Sequence, residues 1–80
     1  MNINTLFFGI STDLVGENSI IFELPLNSTV GSFKTKLQQE YPQLTQLNSY
    51  AIAVNESYAP DETELQENDV VAIIPPVSGG

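Results

Sequence analysis

The sequence predicts an α+β domain in which one mixed β-sheet packs on one main helix, followed by an extended C-terminal tail. Three observations predict it. Short apolar runs of strand length fall near both ends and in the middle of the chain, and only one stretch repeats its apolar residues at full helical spacing. After Ile74 the pattern stops at Pro75-Pro76. With 80 residues and 8.7 kDa there is room for a single small domain, placed at residues 1–74, with 75–80 as the tail.

Ile3 to Phe8 is short and apolar enough for a strand that ends at Gly9. Ser11 to Val15 can make one helical turn, stopped at Gly16, and Gly16-Glu17-Asn18-Ser19 is a turn. Ile20 to Leu24 forms a second strand closed by Pro25, near enough in sequence to pair with the first as an antiparallel hairpin. The main helix is capped by Ser28 or Thr29, repeats Val30, Phe33, Leu37 and Tyr41 at helical spacing, and stops at Pro42, because the residue before proline avoids the helical region. Tyr50 to Val54 is a third strand, with a turn at Asn55-Glu56-Ser57 and a short edge segment around Tyr58. A polar stretch starts at Asp61, and Val70 to Ile74 is a fully apolar last strand. Strand, strand, helix, strand, strand is the order of a β-grasp sheet, with the first and last strands parallel at its centre and the helix across one face.

Period-two alternation in the central strands has a functional consequence. Leu6 and Phe8 point to one face, Ile3 and Phe7 to the other; Val70, Ala72 and Ile74 oppose Val71 and Ile73. Both central strands are apolar on both faces, yet one helix can cover only one. Either loops, Tyr58 and the early helical turn fold over the second face, or a partner protein does, and the small size of the chain favours the partner. Phe7, Val71 and Ile73 are the expected interface residues.

Composition removes several kinds of chemistry. Without Cys or His there is no thiol nucleophile, imidazole base, disulfide framework or Cys/His metal cage, and no metal site is expected. Two Lys and no Arg stand against ten Asp and Glu, a net charge of -8. Phosphate backbones and anionic membranes repel such a chain, so neither nucleic acid nor membrane is an expected partner. The apolar runs fall short of the ~18 residues a membrane span needs. The start Met1-Asn2-Ile3-Asn4-Thr5 lacks the basic residues of a signal peptide, which makes the cytoplasm the expected location. Five acidic residues lie at Asp61, Glu62, Glu64, Glu67 and Asp69. They do not form an EF-hand, since Leu65 and Gln66 stand where an oxygen ligand and a turn glycine belong. A solvated loop is the plain reading, and docking to a basic partner the alternative.

The chemistry has to lie in the tail. Pro75 and Pro76 lack N–H donors and hold the chain extended, so the six residues from Pro75 can reach ~20 Å past the sheet. Gly79 and Gly80 are slim enough for a narrow channel and leave a bare carboxylate at the end. A diglycine directly behind a strand and a rigid Pro-Pro suits a terminus that reacts in another protein's active site.

These residues resemble a known family. Leu6-Phe7-Phe8-Gly9, Asp13-Leu14-Val15-Gly16, Ala53-Val54-Asn55 and the run Val70 to Gly80 are similar to the small subunits of molybdopterin synthase, ubiquitin-like sulfur carriers, over essentially the whole chain. The resemblance implies a ubiquitin-like β-grasp with a flexible diglycine tail. It further implies that a ubiquitin-activating-type adenylyltransferase uses ATP to adenylate Gly80, and that a persulfide donor converts Gly80 to a thiocarboxylate. The tail then delivers sulfur to cyclic pyranopterin monophosphate inside the large subunit, in a heterotetramer of two small and two large subunits. Gly80 reacts, Gly79 and Ser78 give slim passage, and Val77, Pro76 and Pro75 direct the tail. No cofactor is held permanently and the subunit is inactive alone. A sulfur carrier of thiamin biosynthesis and a ubiquitin-like protein modifier are the alternatives that share this tail.

Overall fold

Residues 1–47 and 49–76 are described by a computed structural model. Strand β1 (Asn2–Phe7) leads through a single short helix α1 (Ile10–Val15) to β2 (Ser19–Glu23), then to helix α2 (Val30–Glu40), a 3₁₀ turn (Pro42–Gln46), β3 (Ala51–Val54), β4 (Ser57–Tyr58) and β5 (Val70–Ile74). The five strands form one sheet in the order β2-β1-β5-β3-β4. The central pair β1 and β5 is parallel, with Thr5 beside Val71 and Phe7 beside Ile73, while β2 and β3 flank it antiparallel. The expected β-grasp order is present.

Local chemistry sets the element ends. Gly16 takes the left-handed conformation at φ 84°, which stops α1 at the expected place. Thr29 caps α2 reciprocally: its Oγ1 accepts from Ser32 N at 3.2 Å, and Ser32 Oγ accepts from Thr29 N at 2.9 Å. Asn55 and Glu56 both have positive φ, 50° and 74°, as two-residue hairpins favour, so Ser57 belongs to β4 and not to the turn. Pro42 ends α2 and begins the 3₁₀ turn, since its fixed φ suits a first helical position.

The core lies between the sheet and α2. Val30, Phe33 and Leu37 descend from the helix onto Ile3, Phe7, Phe22, Ile52, Val71 and Ile73, all buried. Phe33 meets Phe22 edge-on, with centroids 5.6 Å apart at 89°, and Tyr41 meets Phe7 at 6.1 Å and 70°. Leu44 from the 3₁₀ turn and Leu65 from the acidic loop seal the core and are also buried. Periodicity does not reveal these two, because each sits in a segment without a strand or helix pattern. Leu14 and Val15 of α1 pack against the same core, so α1 closes one end of it, and among the described residues no helix covers the other sheet face.

A docking face and the exit of the tail

Cross-strand register determines what the uncovered face presents. One row runs across all five strands as Ser19, Leu6, Ala72, Ala53 and Tyr58. Above and below it lie the row of Ile21, Asn4 and Val70 and the pair Ile74 and Ala51. Three alanines on β5 and β3 make a low floor, with Leu6, Val70 and Ile74 beside them and Ile21 and Tyr58 at the two edges. Such a surface lets another polypeptide come close to the sheet while its rim supplies apolar area. Ile21 is 64% exposed, Tyr58 74%, and Phe8, just past β1, 49%. On a chain of this size, exposed apolar side chains of this kind make this face the candidate contact surface.

The expected interface residues Phe7, Val71 and Ile73 are not on this face. All three are at most 3% exposed and lie beneath α2. Leu6, Ala72 and Ile74 stand opposed to them, as the alternation in β1 and β5 predicts, but which of the two faces the helix covers depends on how the chain crosses over the sheet. The correction moves the candidate docking surface to Leu6, Phe8, Ile21, Tyr58, Val70, Ala72 and Ile74. Tyr58 and α1, the alternative cover for that face, do not supply one: Tyr58 is the most exposed of its large apolar residues, and α1 packs on the core.

The tail leaves from the middle of the sheet. At Pro75 the ladder stops, because proline offers no N–H, and Pro75 is half-buried while Pro76 is exposed. Val77, Ser78, Gly79 and Gly80 lie outside the described residues. One neighbour of the exit was missed in the sequence: Gly9, with φ 57° and ψ -138°, stands beside Pro75. Its place directly after a strand was the available signal, but a lone glycine there also fits a plain turn.

Much of the acidic stretch is occupied within the fold. Glu67 Oε2 accepts from Asn2 N at 2.8 Å, Asp61 Oδ1 pairs with Lys34 Nζ at 3.0 Å, and Asp69 accepts through both oxygens, from Asn55 Nδ2 and Gln66 N. Among the described residues no three carboxylates gather where a metal ion could sit, and no helix is long and apolar enough to cross a membrane.

Comparison with known proteins agrees with this geometry. A model described as the ThiS family matches residues 5–80. The molybdopterin synthase sulfur carrier subunit of Dictyostelium discoideum is 39% identical over 79 residues, spanning 94% of this chain and 92% of that one. Among solved structures, SAMP1 from Haloferax volcanii superposes with a TM-score of 0.89 at 20% identity, over the full length of both chains. A complex of subunits 1 and 2 of the molybdopterin-converting factor from Helicobacter pylori contains a chain matching with a TM-score of 0.72 at 27% identity, again over the full length of both.

Proposed function

The chain belongs to the ThiS family, and on that premise we propose that it is the sulfur-carrier subunit of a molybdopterin synthase. The observation that carries the reading is a central strand, β5, that borders an exposed apolar face and runs into Pro75-Pro76, in a sequence that ends in diglycine. The face docks the chain and the tail reaches into the partner. Support for a large-subunit partner comes from the Helicobacter pylori complex of subunits 1 and 2. Relatives named as sulfur carrier subunits support the role.

The chemistry follows from what a carboxylate lacks. Its oxygen is a poor leaving group, so an adenylyltransferase first joins Gly80 to AMP with loss of pyrophosphate. The terminal sulfur of a persulfide donor attacks the Gly80 carbonyl and displaces AMP, giving an acyl disulfide. Two electrons from a thiol reductant then release the thiocarboxylate. Its sulfur is nucleophilic at neutral pH without any Cys in the chain. Within the large subunit it attacks a side-chain carbon of cyclic pyranopterin monophosphate and displaces an oxygen from it, giving a thioester; water then cleaves the acyl–sulfur bond, leaving sulfur on the pterin and freeing the Gly80 carboxylate. Two carriers in turn supply the two sulfurs of the dithiolene, in a heterotetramer that seats one small subunit on each of two large ones. Gly79 and Ser78 keep the passage slim, and Val77, Pro76 and Pro75 direct it. No resident cofactor is needed, ATP being consumed by the activating enzyme, and the subunit alone turns nothing over.

Intact mass tests this reading. After incubation with ATP, the activating enzyme, a persulfide donor and a thiol reductant, the full chain gains the difference between one sulfur and one oxygen. A chain lacking Gly79 and Gly80 does not. The large subunit with the pterin precursor then identifies the acceptor. No gain by the full chain, in a preparation where a known carrier reacts, rejects the proposal; adducts on lysines of other proteins in place of a thiocarboxylate indicate a protein modifier.

A further inference from the structure

We infer that Gly9 is a positioning residue for the tail: its bare α-carbon is the seat on which Pro75 rests, and the seat sets the direction in which the chain leaves the sheet. The inference rests on the sulfur-carrier reading for its consequence, while its geometry rests on Gly9 and Pro75 themselves.

Parallel pairing of β1 and β5 runs from Asn4 beside Val70 to Phe7 beside Ile73. Two steps further along the same register, Gly9 falls beside Pro75. Neither residue can continue the ladder. Pro75 has no N–H to give, and at Gly9 the chain turns out of the strand into α1. On its other side β5 loses its neighbour as well, since the β3 pairing ends at Ala51 beside Ile74. Past Ile74, therefore, contact with Gly9 replaces backbone hydrogen bonding as the constraint on the exit.

That contact leaves little room for a side chain. A β-carbon on Gly9 would lie 3.1 Å from Pro75 Cγ, tighter than most carbon contacts, so the proline ring would have to pucker away or shift by a few tenths of an ångström. The backbone at φ 57° and ψ -138° is itself a conformation that only glycine adopts readily.

The surrounding residues hold Gly9 still. Ser11 Oγ donates to Phe8 O at 2.5 Å and accepts from Phe8 N at 3.1 Å. Thr12 Oγ1 donates to Phe7 O at 3.0 Å, and Thr12 N donates to Gly9 O at 3.1 Å. Phe7, Phe8 and Gly9 are thus each tied to the first turn of α1, and Ser11 is fully buried. A seat fixed from beneath can direct what rests on it. Docking uses the uncovered face, so a disturbed seat alters how the docked tail reaches the reacting centre and not how tightly the carrier binds. The expected signature is a loss in kcat with KM for the carrier nearly unchanged.

The test is a double-mutant cycle on the full chain, with Gly9→Ala, Pro75→Ala and both together, each assayed for sulfur gain by the activating enzyme at increasing carrier concentration. Thermal unfolding is measured alongside, and rates are corrected for the folded fraction. Gly9→Ala is expected to lower kcat at least ten-fold with KM within two-fold of the parent. Pro75→Ala, which empties the seat, is expected to lower it a few-fold at an unchanged thermal midpoint. In the Pro75→Ala background the Gly9 substitution should cost less than a further two-fold, because the ring it would strike is gone. Backbone strain at position 9 persists in the double variant, so a merely structural role predicts the same loss in both backgrounds, and that result overturns the inference. If Gly9→Ala fails to fold, Pro75→Ala alone decides, and a parental kcat overturns it. If the parent chain gains no sulfur, the carrier reading falls, and proton Overhauser contacts between the Gly9 α-protons and the Pro75 ring decide the seat separately: their presence in the parent sustains it and their absence ends it.

Discussion

Asn55 and Asp69 fasten the β3–β4 turn to the start of β5. Asn55 Nδ2 donates to Asp69 Oδ1 at 3.0 Å, while Asn55 Oδ1 accepts from Val70 N at 3.0 Å. Asn55 N also donates to Val70 O at 2.7 Å, so side chain and backbone of one residue bracket Val70. An asparagine suits this place because it tolerates the positive φ of 50° that the turn requires. Asp69, from a stretch that reads as solvated charge, acts as a clasp. Asn55→Ala and Asp69→Ala are each expected to lower unfolding free energy by about 1–2 kcal/mol in urea titrations. The pair together should cost less than the sum, since they share one bond.

The two sheet faces should separate folding from docking. Phe7→Ala or Ile73→Ala removes a buried side chain and is expected to cost about 2–5 kcal/mol, a large part of what a chain this size has. Ile21→Ser and Tyr58→Ser, on the uncovered face, should change stability by no more than about 0.5 kcal/mol. The same two should weaken binding to the large subunit at least ten-fold, equivalent to about 1.4 kcal/mol. Thermal unfolding and titration calorimetry with the large subunit check both halves.

Thr5 is fully buried on the helix side of β1, and among the described residues its Oγ1 reaches only Ile3 O, at 3.5 Å. Its hydroxyl gives up water for a weak bond. Thr5→Val keeps the shape and the strand preference, and is expected to leave stability unchanged or raise it by up to about 1 kcal/mol. A loss of that size would show that the hydroxyl has a stronger partner than Ile3 O.

The capping box of α2 should matter more than the ion pair beside it. Thr29→Ala removes the acceptor for Ser32 N and is expected to cost about 1 kcal/mol. Lys34 and Asp61 are 3.0 Å apart, but their side chains keep 30% and 62% of their exposure. Lys34→Met is therefore expected to fall within about 0.5 kcal/mol of the parent. Denaturant midpoints of the two variants, measured side by side, settle the order.

What the sequence alone determined is what depends on neighbours along the chain. Alternation in Ile3 to Phe8 and Val70 to Ile74 shows two strands apolar on both faces. Val30, Phe33 and Leu37 at helical spacing show the one main helix, and Gly16, Pro42 and Pro75 mark where segments stop. The diglycine end is legible because its chemistry needs no fold around it. The tertiary structure decided everything that depends on contacts distant in sequence. Alternation is symmetric about a sheet, so it divides Leu6 from Phe7 without saying which one meets the helix. Only the packing of α2 assigns Phe7, Val71 and Ile73 to the core. Leu44 and Leu65 become core residues because the ends of that core need filling, and no periodic signal announces them. Gly9 and Pro75 are 66 positions apart, and they meet because parallel pairing of the first and last strands brings one exit beside the other.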